Sequence, residues 1–184
     1  MEGKNKKNII VGVTGSIAVY KSCEIIRSLK KRNWNVKVIM TENAKEFVSP
    51  LTFETLSRNP VYSEMFIRNY KEDHISLSDF ASIILICPAT ANIIGKIASG
   101  ICDDLLTTTI FAFDGPVIFA PAMNEKMWLN KIVKENVKKL KKYGYYFIEP
   151  EKGELANGRI GVGRLAEIDK IVEFVEEIYN KFSK

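Results

Sequence analysis

The stretch from Ile83 to Thr109, IILICPATANIIGKIASGICDDLLTTT, constrains what this chain can fold into more than any other. Its opening residues, Ile83 to Cys87, are all apolar. The run is too short for a helix and lacks the alternation of a half-exposed strand. It therefore reads as a strand buried on both faces, the kind that parallel sheets contain. Pro88 has no N–H to give a ladder and is expected to stop the strand. That leaves Ala89, Thr90, Ala91 and Asn92 at its carboxyl end, where small side chains let a ligand approach closely. A helical pattern follows, with Ile93, Ile94, Ile97 and Ile101 on one face and Gly100 loosening its end. Asp103, Asp104 and the run Thr107 to Thr109 add polar groups near the same crevice.

Upstream, Asn8 to Val13 (NIIVGV) is a short apolar strand, and Thr14, Gly15 and Ser16 turn it into a helix. Strand, small-residue turn and helix make a phosphate site, because the first amides of the helix point outward and its dipole favours an anion. The turn reads GVTGSIA rather than GxGxxG, which favours a mononucleotide over a dinucleotide; the competing reading is a plain helix cap. Val36 to Met40 is a second strand, and Thr41 after it either faces the crevice or caps the next helix. Pro50 to Ser57 reads as a helix and Pro60 to Phe66 as a connection or short strand. His74, in HISLSDFA, is the only histidine. A lone histidine is more often a cap or a surface residue than a catalyst, but this one precedes the central strand and its crevice.

Pro116 to Ala120 is a further buried strand ending at Pro121, followed by Ala122-Met123-Asn124-Glu125-Lys126-Met127-Trp128. Asn124 has amide donors for a carboxylate or a flavin edge, and Met123, Met127 and Trp128 could wall a pocket. Alternatively these residues cap and staple a helix running from Leu129 to Lys142. Tyr145 to Ile148 is the last core strand expected. Gly153 to Leu165, GELANGRIGVGRL, holds four glycines and reads as a mobile flap over a substrate; a β-hairpin is the alternative, which leaves Arg159 and Arg164 unexplained. Ile168 to Tyr179 closes the chain as an amphipathic helix.

A chain of 184 residues is one domain, with about 70% of its unfolded surface buried on folding. The net charge of +5 comes from lysines near both ends and at Lys138 to Lys142, without any groove-reading motif, so no nucleic-acid partner is expected. No run of about 18 apolar residues and no secretory leader is present, which predicts a cytoplasmic protein without a membrane span. Cys23, Cys87 and Cys102 lack metal-ligand spacing and read as buried thiols.

Together the phrases VTGSIA, HISLSDFA, PATANIIGKIASGICDDLLTT, PAMNEKMW and GELANGRIGVGRL, spread from Ile9 to Leu165, resemble the flavin-dependent cysteine decarboxylase family. That family includes phosphopantothenoylcysteine decarboxylase of coenzyme A synthesis and the peptidyl-cysteine decarboxylases of lantibiotic maturation. The resemblance implies an α/β, single-domain Rossmann-like (flavodoxin-like) parallel sheet with helices on both faces. It also implies bound FMN and a homotrimer, or a dodecamer built of trimers, with the flavin at a subunit contact. It carries over His74 and Asn124 as catalytic, and Met127, Leu155, Ala156 and Asn157 as substrate-binding. Gly15, Ser16, Ile17, Thr41, Ala89, Thr90, Ala91, Asn92, Thr107 and Met123 correspond to cofactor contacts, and residues 153–165 to the substrate clamp.

One position departs. Phosphopantothenoylcysteine decarboxylases carry a clamp reading like LACG, whereas this chain has Leu155-Ala156-Asn157-Gly158. In the family the cysteine side chain is oxidised by the flavin, carbon dioxide leaves, and an enethiol results. Reduction of that enethiol to phosphopantetheine uses the clamp cysteine as proton donor. An asparagine amide is a far poorer acid than a thiol of pKa about 8.5, so this second step is expected to fail. The principal expectation is therefore an enethiol made on a cysteine-terminated peptide. The alternative substrate is phosphopantothenoylcysteine, and the alternative of another class is a non-catalytic regulatory flavoprotein, against which the presence of His74 and Asn124 counts.

Overall fold

A computed structural model of the chain describes residues 7–66, 73–156 and 158–183. The elements run β1 (Asn8–Val13), a 3-10 turn (Ile17–Val19), α1 (Tyr20–Lys31), β2 (Asn35–Met40), α2 (Glu42–Lys45) and α3 (Pro50–Ser57). Next come β3 (Val61–Tyr62), α4 (His74–Phe80), β4 (Ile83–Ala89), α5 (Ala91–Ser99), α6 (Leu105–Phe111) and β5 (Val117–Pro121). The chain ends with α7 (Glu125–Trp128), α8 (Lys131–Lys142), β6 (Tyr146–Phe147), β7 (Glu151–Glu154), β8 (Ile160–Arg164) and α9 (Ile168–Phe182).

The strands of the main sheet are apolar on both sides of the pleat, and the packing explains why. Ile9, Val11 and Val13 of β1 share one buried cluster with Ile25, Ile26 and Leu29 of α1, Phe53 of α3 and Ile171, Val172 and Val175 of α9. Ile10 faces the opposite cluster, with Leu77 of α4, Ile93 and Ile94 of α5, Leu106 of α6 and Leu140 of α8. With both faces covered, the strands pair in the order β3-β2-β1-β4-β5-β6, every pair parallel. This is the expected Rossmann-like sheet. The chain turns one way from β1 to β2 and the other way from β4 to β5, so the carboxyl ends of β1 and β4 bound a topological switch point, the place where open α/β sheets bind ligands.

Several expectations need correction. β4 does not stop before Pro88 but runs through it to Ala89, because the register against β5 shifts between Ile86 and Ala89 and the ladder makes no demand on the proline nitrogen. Ile101 is not on the face of α5: the helix ends at Ser99, Gly100 takes the left-handed conformation, and Ile101 is exposed. The helix foreseen from Leu129 begins instead at Lys131, since Asn130 caps it by accepting the Ile132 N–H at 2.9 Å. Cys87 is buried and its thiol is pushed up to about 12 by that burial, but Cys102 is exposed. The glycine-rich stretch is no irregular flap. β7 and β8 pair as an antiparallel hairpin apart from the main sheet, with Gly163 as the extra residue between the Glu151–Arg164 and Lys152–Val162 pairs.

The two ends of the fold are joined by Glu176 of α9, which accepts hydrogen bonds from the Trp34 indole at 2.6 Å and from Lys7 at 2.9 Å. Trp34 is 1% exposed, so its N–H has no recourse to water. Glu176→Ala is expected to cost about 1–3 kcal/mol, the penalty of a buried donor left alone, read from denaturant unfolding. Burial works to raise the Glu176 pKa, yet the hydrogen bonds from Lys7 and Trp34 outweigh it and hold the carboxyl below the usual glutamate range. Its contribution is therefore present above about pH 4.3, the unfolded value, and lost as the pH falls through the folded one.

Candidate active site

Two cavities open side by side at the carboxyl edge of the sheet and share Ser16, Ala122 and Met123. The first, about 450 Å³, lies at the switch point. Its wall combines the β1 turn (Thr14, Gly15), Thr41 after β2, the start of α5 (Thr90, Ala91, Asn92) and the apolar side chains of Ile93, Met123 and Met127. The second, about 660 Å³, runs from Ile17 and Lys21 past Asn124 to the hairpin residues Leu155, Ala156, Gly163 and Arg164.

Local hydrogen bonding fixes this edge. Thr14 donates its hydroxyl to Pro88 O at 2.7 Å and accepts the Thr90 N–H at 3.3 Å, locking the end of β4 to the β1 turn. Thr90 caps α5 by accepting the Ile93 N–H. The Ala91 and Asn92 amides have no helical partner and stand at the cavity wall. Gly15 is required by close approach: a Cβ there would sit 2.6 Å from Asn43 Cβ. Gly15→Ala is expected to cost about 1–3 kcal/mol as overpacking and to lower the flavin content of the purified protein, read by visible absorbance.

The capping alternatives weighed for Ser16 and Asn124 are both realised. Ser16 accepts the Ala18 N–H while donating to Ala122 O, each at 3.3 Å. Asn124 accepts the Lys126 N–H at 2.9 Å through its oxygen, which leaves its NH2 donors open to the second cavity. Thr41 makes no cap bond.

The structure brings together most of the residues singled out by sequence. Gly15, Ser16, Thr41, Thr90, Ala91, Asn92, Met123 and Met127 line the first cavity, and Ser16, Ile17, Met123, Asn124, Leu155 and Ala156 the second. Ala89 and Thr107 line neither. Ala89 is a buried strand end, and Thr107 is fully buried with its hydroxyl bonded to Asp104 in the α6 capping box. Trp128 does not wall a pocket either but belongs to the core, with the Lys134 ammonium 3.7 Å from its ring centroid. Asn157 lies outside the described residues. His74 opens α4, which leads down to the start of β4; its seven residues rise about 10 Å back toward the carboxyl edge. Half-buried, it is in the wall of neither cavity.

Charged groups were the main omission from the sequence reading. Lys96 reaches the first cavity and pairs with Asp103 at 2.7 Å and Asp104 at 3.2 Å. Burial opposes its charge, but these two hydrogen bonds win and hold its pKa above the usual lysine value. Lys21 lines the second cavity and makes no hydrogen bond or ion pair with a described residue. Arg164, unexplained before, lies across Gly153 and pairs with Glu167. Among the described residues, no helix is long and apolar enough to cross a membrane, and no group of three or more His, Cys, Asp or Glu residues could hold a metal.

A family model described as Flavoprotein matches residues 1–180. The chain belongs to the Flavoprotein family. Within reach of this membership, the chain is 49% identical over 176 residues to the coenzyme A biosynthesis bifunctional protein CoaBC of Borreliella burgdorferi, covering 95% of the chain and 45% of that protein. The chain thus spans about half the length of the bifunctional relatives it matches. It is 42% identical to the probable phosphopantothenoylcysteine decarboxylase of Streptococcus mutans, covering 93% of the chain and 98% of that protein. A solved PPC decarboxylase mutant complexed with pantothenoylaminoethenethiol superposes with a TM-score of 0.87 at 29% identity, covering 96% and 100% of the two chains. Peptidyl-cysteine decarboxylase EpiD does so with a TM-score of 0.82 at 28% identity, covering 93% and 99%.

The first cavity fits the group this flavoprotein would hold. Hydroxyls of Ser16, Thr41 and Thr90 and the open amides of α5 suit a phosphate, while Ile93, Met123 and Met127 offer an apolar face to a flat ring.

Proposed function

We propose that this flavoprotein is an FMN-dependent decarboxylase of a substrate ending in cysteine, and that the substrate is phosphopantothenoylcysteine. One observation carries the reading: a phosphate-and-ring cavity adjoins, at Ser16, Ala122 and Met123, a second cavity that holds Asn124 and is bordered by a hairpin. The relatives at 42% and 49% identity favour the coenzyme A substrate over the peptide. So does the second cavity, where Lys21, without an ion pair to a described residue, stands available for an anionic group of a phosphorylated acyl-cysteine. The peptide reading rests on Asn157 in place of the clamp cysteine, and that substitution bears on the product more than on the substrate.

FMN, when bound, supplies the oxidising power for the cysteine side chain. The chain's own residues do the rest. The NH2 of Asn124 donates to the substrate carboxylate and fixes the bond that breaks. His74 holds or moves a proton at the substrate sulfur. Leu155 and Ala156 of the hairpin exclude water from above. With asparagine at position 157 no acidic thiol is at hand, so the enethiol is released unreduced.

His74 stands outside both cavity walls, and we infer that a neighbouring subunit brings its own His74 to this site in a homotrimer, or in trimers assembled further. The surface around it supports this: Ile75 is 49% exposed, and Phe111 on the adjoining α6 is also exposed. Turnover rates in air, with dioxygen as the oxidant that takes up the two electrons left by each released enethiol, measured with phosphopantothenoylcysteine, its dephosphorylated form and a cysteine-ending peptide, test the substrate. The phosphorylated acyl-cysteine is expected to have the highest kcat/KM; a preference for the peptide would overturn that choice.

A further inference from the structure

Glu125 opens α7 directly after Asn124, and its carboxylate turns away from the helix to accept the Val162 N–H at 2.9 Å. Val162 lies in β8, and its amide points off the edge of the hairpin that β7 does not cover. A further strand would present a carbonyl there; Glu125 presents a carboxylate oxygen instead. The approach is possible because position 161 is glycine: a Cβ at Gly161 would stand 2.8–2.9 Å from the Glu125 carboxyl atoms. Two residues earlier in the same segment, Met123 donates its N–H to Gly163 O at 3.0 Å. The hairpin is thus docked on the 123–125 segment at two neighbouring points, one made by backbone and one by a side chain.

We propose that Glu125 is the latch that seats the hairpin over the second cavity. It is a positioning residue, acting through Val162 without touching substrate, and the proposal rests on the reading of the hairpin as a substrate clamp. Asn124 and Glu125 are adjacent, so the helix turn that presents the substrate amide also grips β8. The seating of Leu155 and Ala156 above the cavity is set relative to Asn124 across a single peptide unit. A hydrogen bond to a charged acceptor is stronger than one between neutral groups, which suits a contact that must hold a hairpin lying apart from the main sheet.

Native-state amide exchange on the flavin-loaded full chain tests this, together with steady-state kinetics on phosphopantothenoylcysteine. In Glu125→Ala, the Val162 amide and its β8 neighbours are expected to exchange about 10-fold faster or more, while β1 and β4 amides keep their protection. KM is expected to rise about 10-fold with a smaller fall in kcat. Glu125→Gln retains an oxygen at the same reach and is expected to restore most of both readouts; Glu125→Asp, one methylene shorter, is not. Unchanged exchange at Val162 overturns the latch, as does faster exchange spread equally over β1 and β4, or a loosened hairpin with unaltered KM. If the alanine variant does not fold, the contrast between glutamine and aspartate decides. Should the wild type turn over no acyl-cysteine, the exchange readout still decides on the latch and only the functional reading fails.

Discussion

His74→Asn is expected to lower decarboxylation about 10²- to 10⁴-fold, the range spanned by positioned proton-transfer groups, while the protein still purifies yellow. The separation of the two readouts follows from geometry, since His74 lines neither the first cavity nor the second. Co-expression with Asn124→Asp extends the test. Where each site takes its asparagine from one subunit and its histidine from another, mixed oligomers regain sites with both residues intact, and a substantial fraction of activity returns. Two inactive parents giving an inactive mixture would instead place both residues in one subunit's site. Loss of flavin in His74→Asn would make the residue structural.

Gly163→Ala is the second large effect expected. At φ +152° any side chain is strained, and a Cβ would stand 2.1 Å from Met123 O, a backbone atom with no freedom to yield. The hairpin must lift or slide, carrying Leu155 and Ala156 away from the cavity. A displacement of about 1 Å in such a site costs about 10²-fold, so kcat/KM is expected to fall by that order with flavin content unchanged. Kinetics and visible absorbance on the same preparation measure both. Wild-type kcat/KM would mean that the hairpin's seating on Met123 does not matter to turnover.

The sheet was legible because burial on both faces writes a strand as a nearly continuous apolar run, as in β1, β4 and β5, with Lys37 the one break in the run of β2 from Val36 to Met40. Boundaries were less so where a side chain overrode the pattern: Asn130 caps α8 and starts it at Lys131, two residues after the start expected at Leu129. The crevice residues came together as foreseen because strands running the same way deliver their small carboxyl-terminal residues to one edge. Lys21, Lys96 and Glu125 were missed because a charge on a helix looks like a solvated face until its tertiary neighbours are known. The glycines of the hairpin were visible, but not their cause. Gly161 and Gly163 make room for Glu125 and Met123, residues far away in the sequence.

The central claim is tested most directly by the mass of what phosphopantothenoylcysteine becomes when incubated with the flavin-loaded protein under anaerobic conditions. Loss of carbon dioxide together with two hydrogens, giving the enethiol and a bleached flavin, is the predicted result. A substrate recovered unchanged beside a flavin that stays yellow would contradict it.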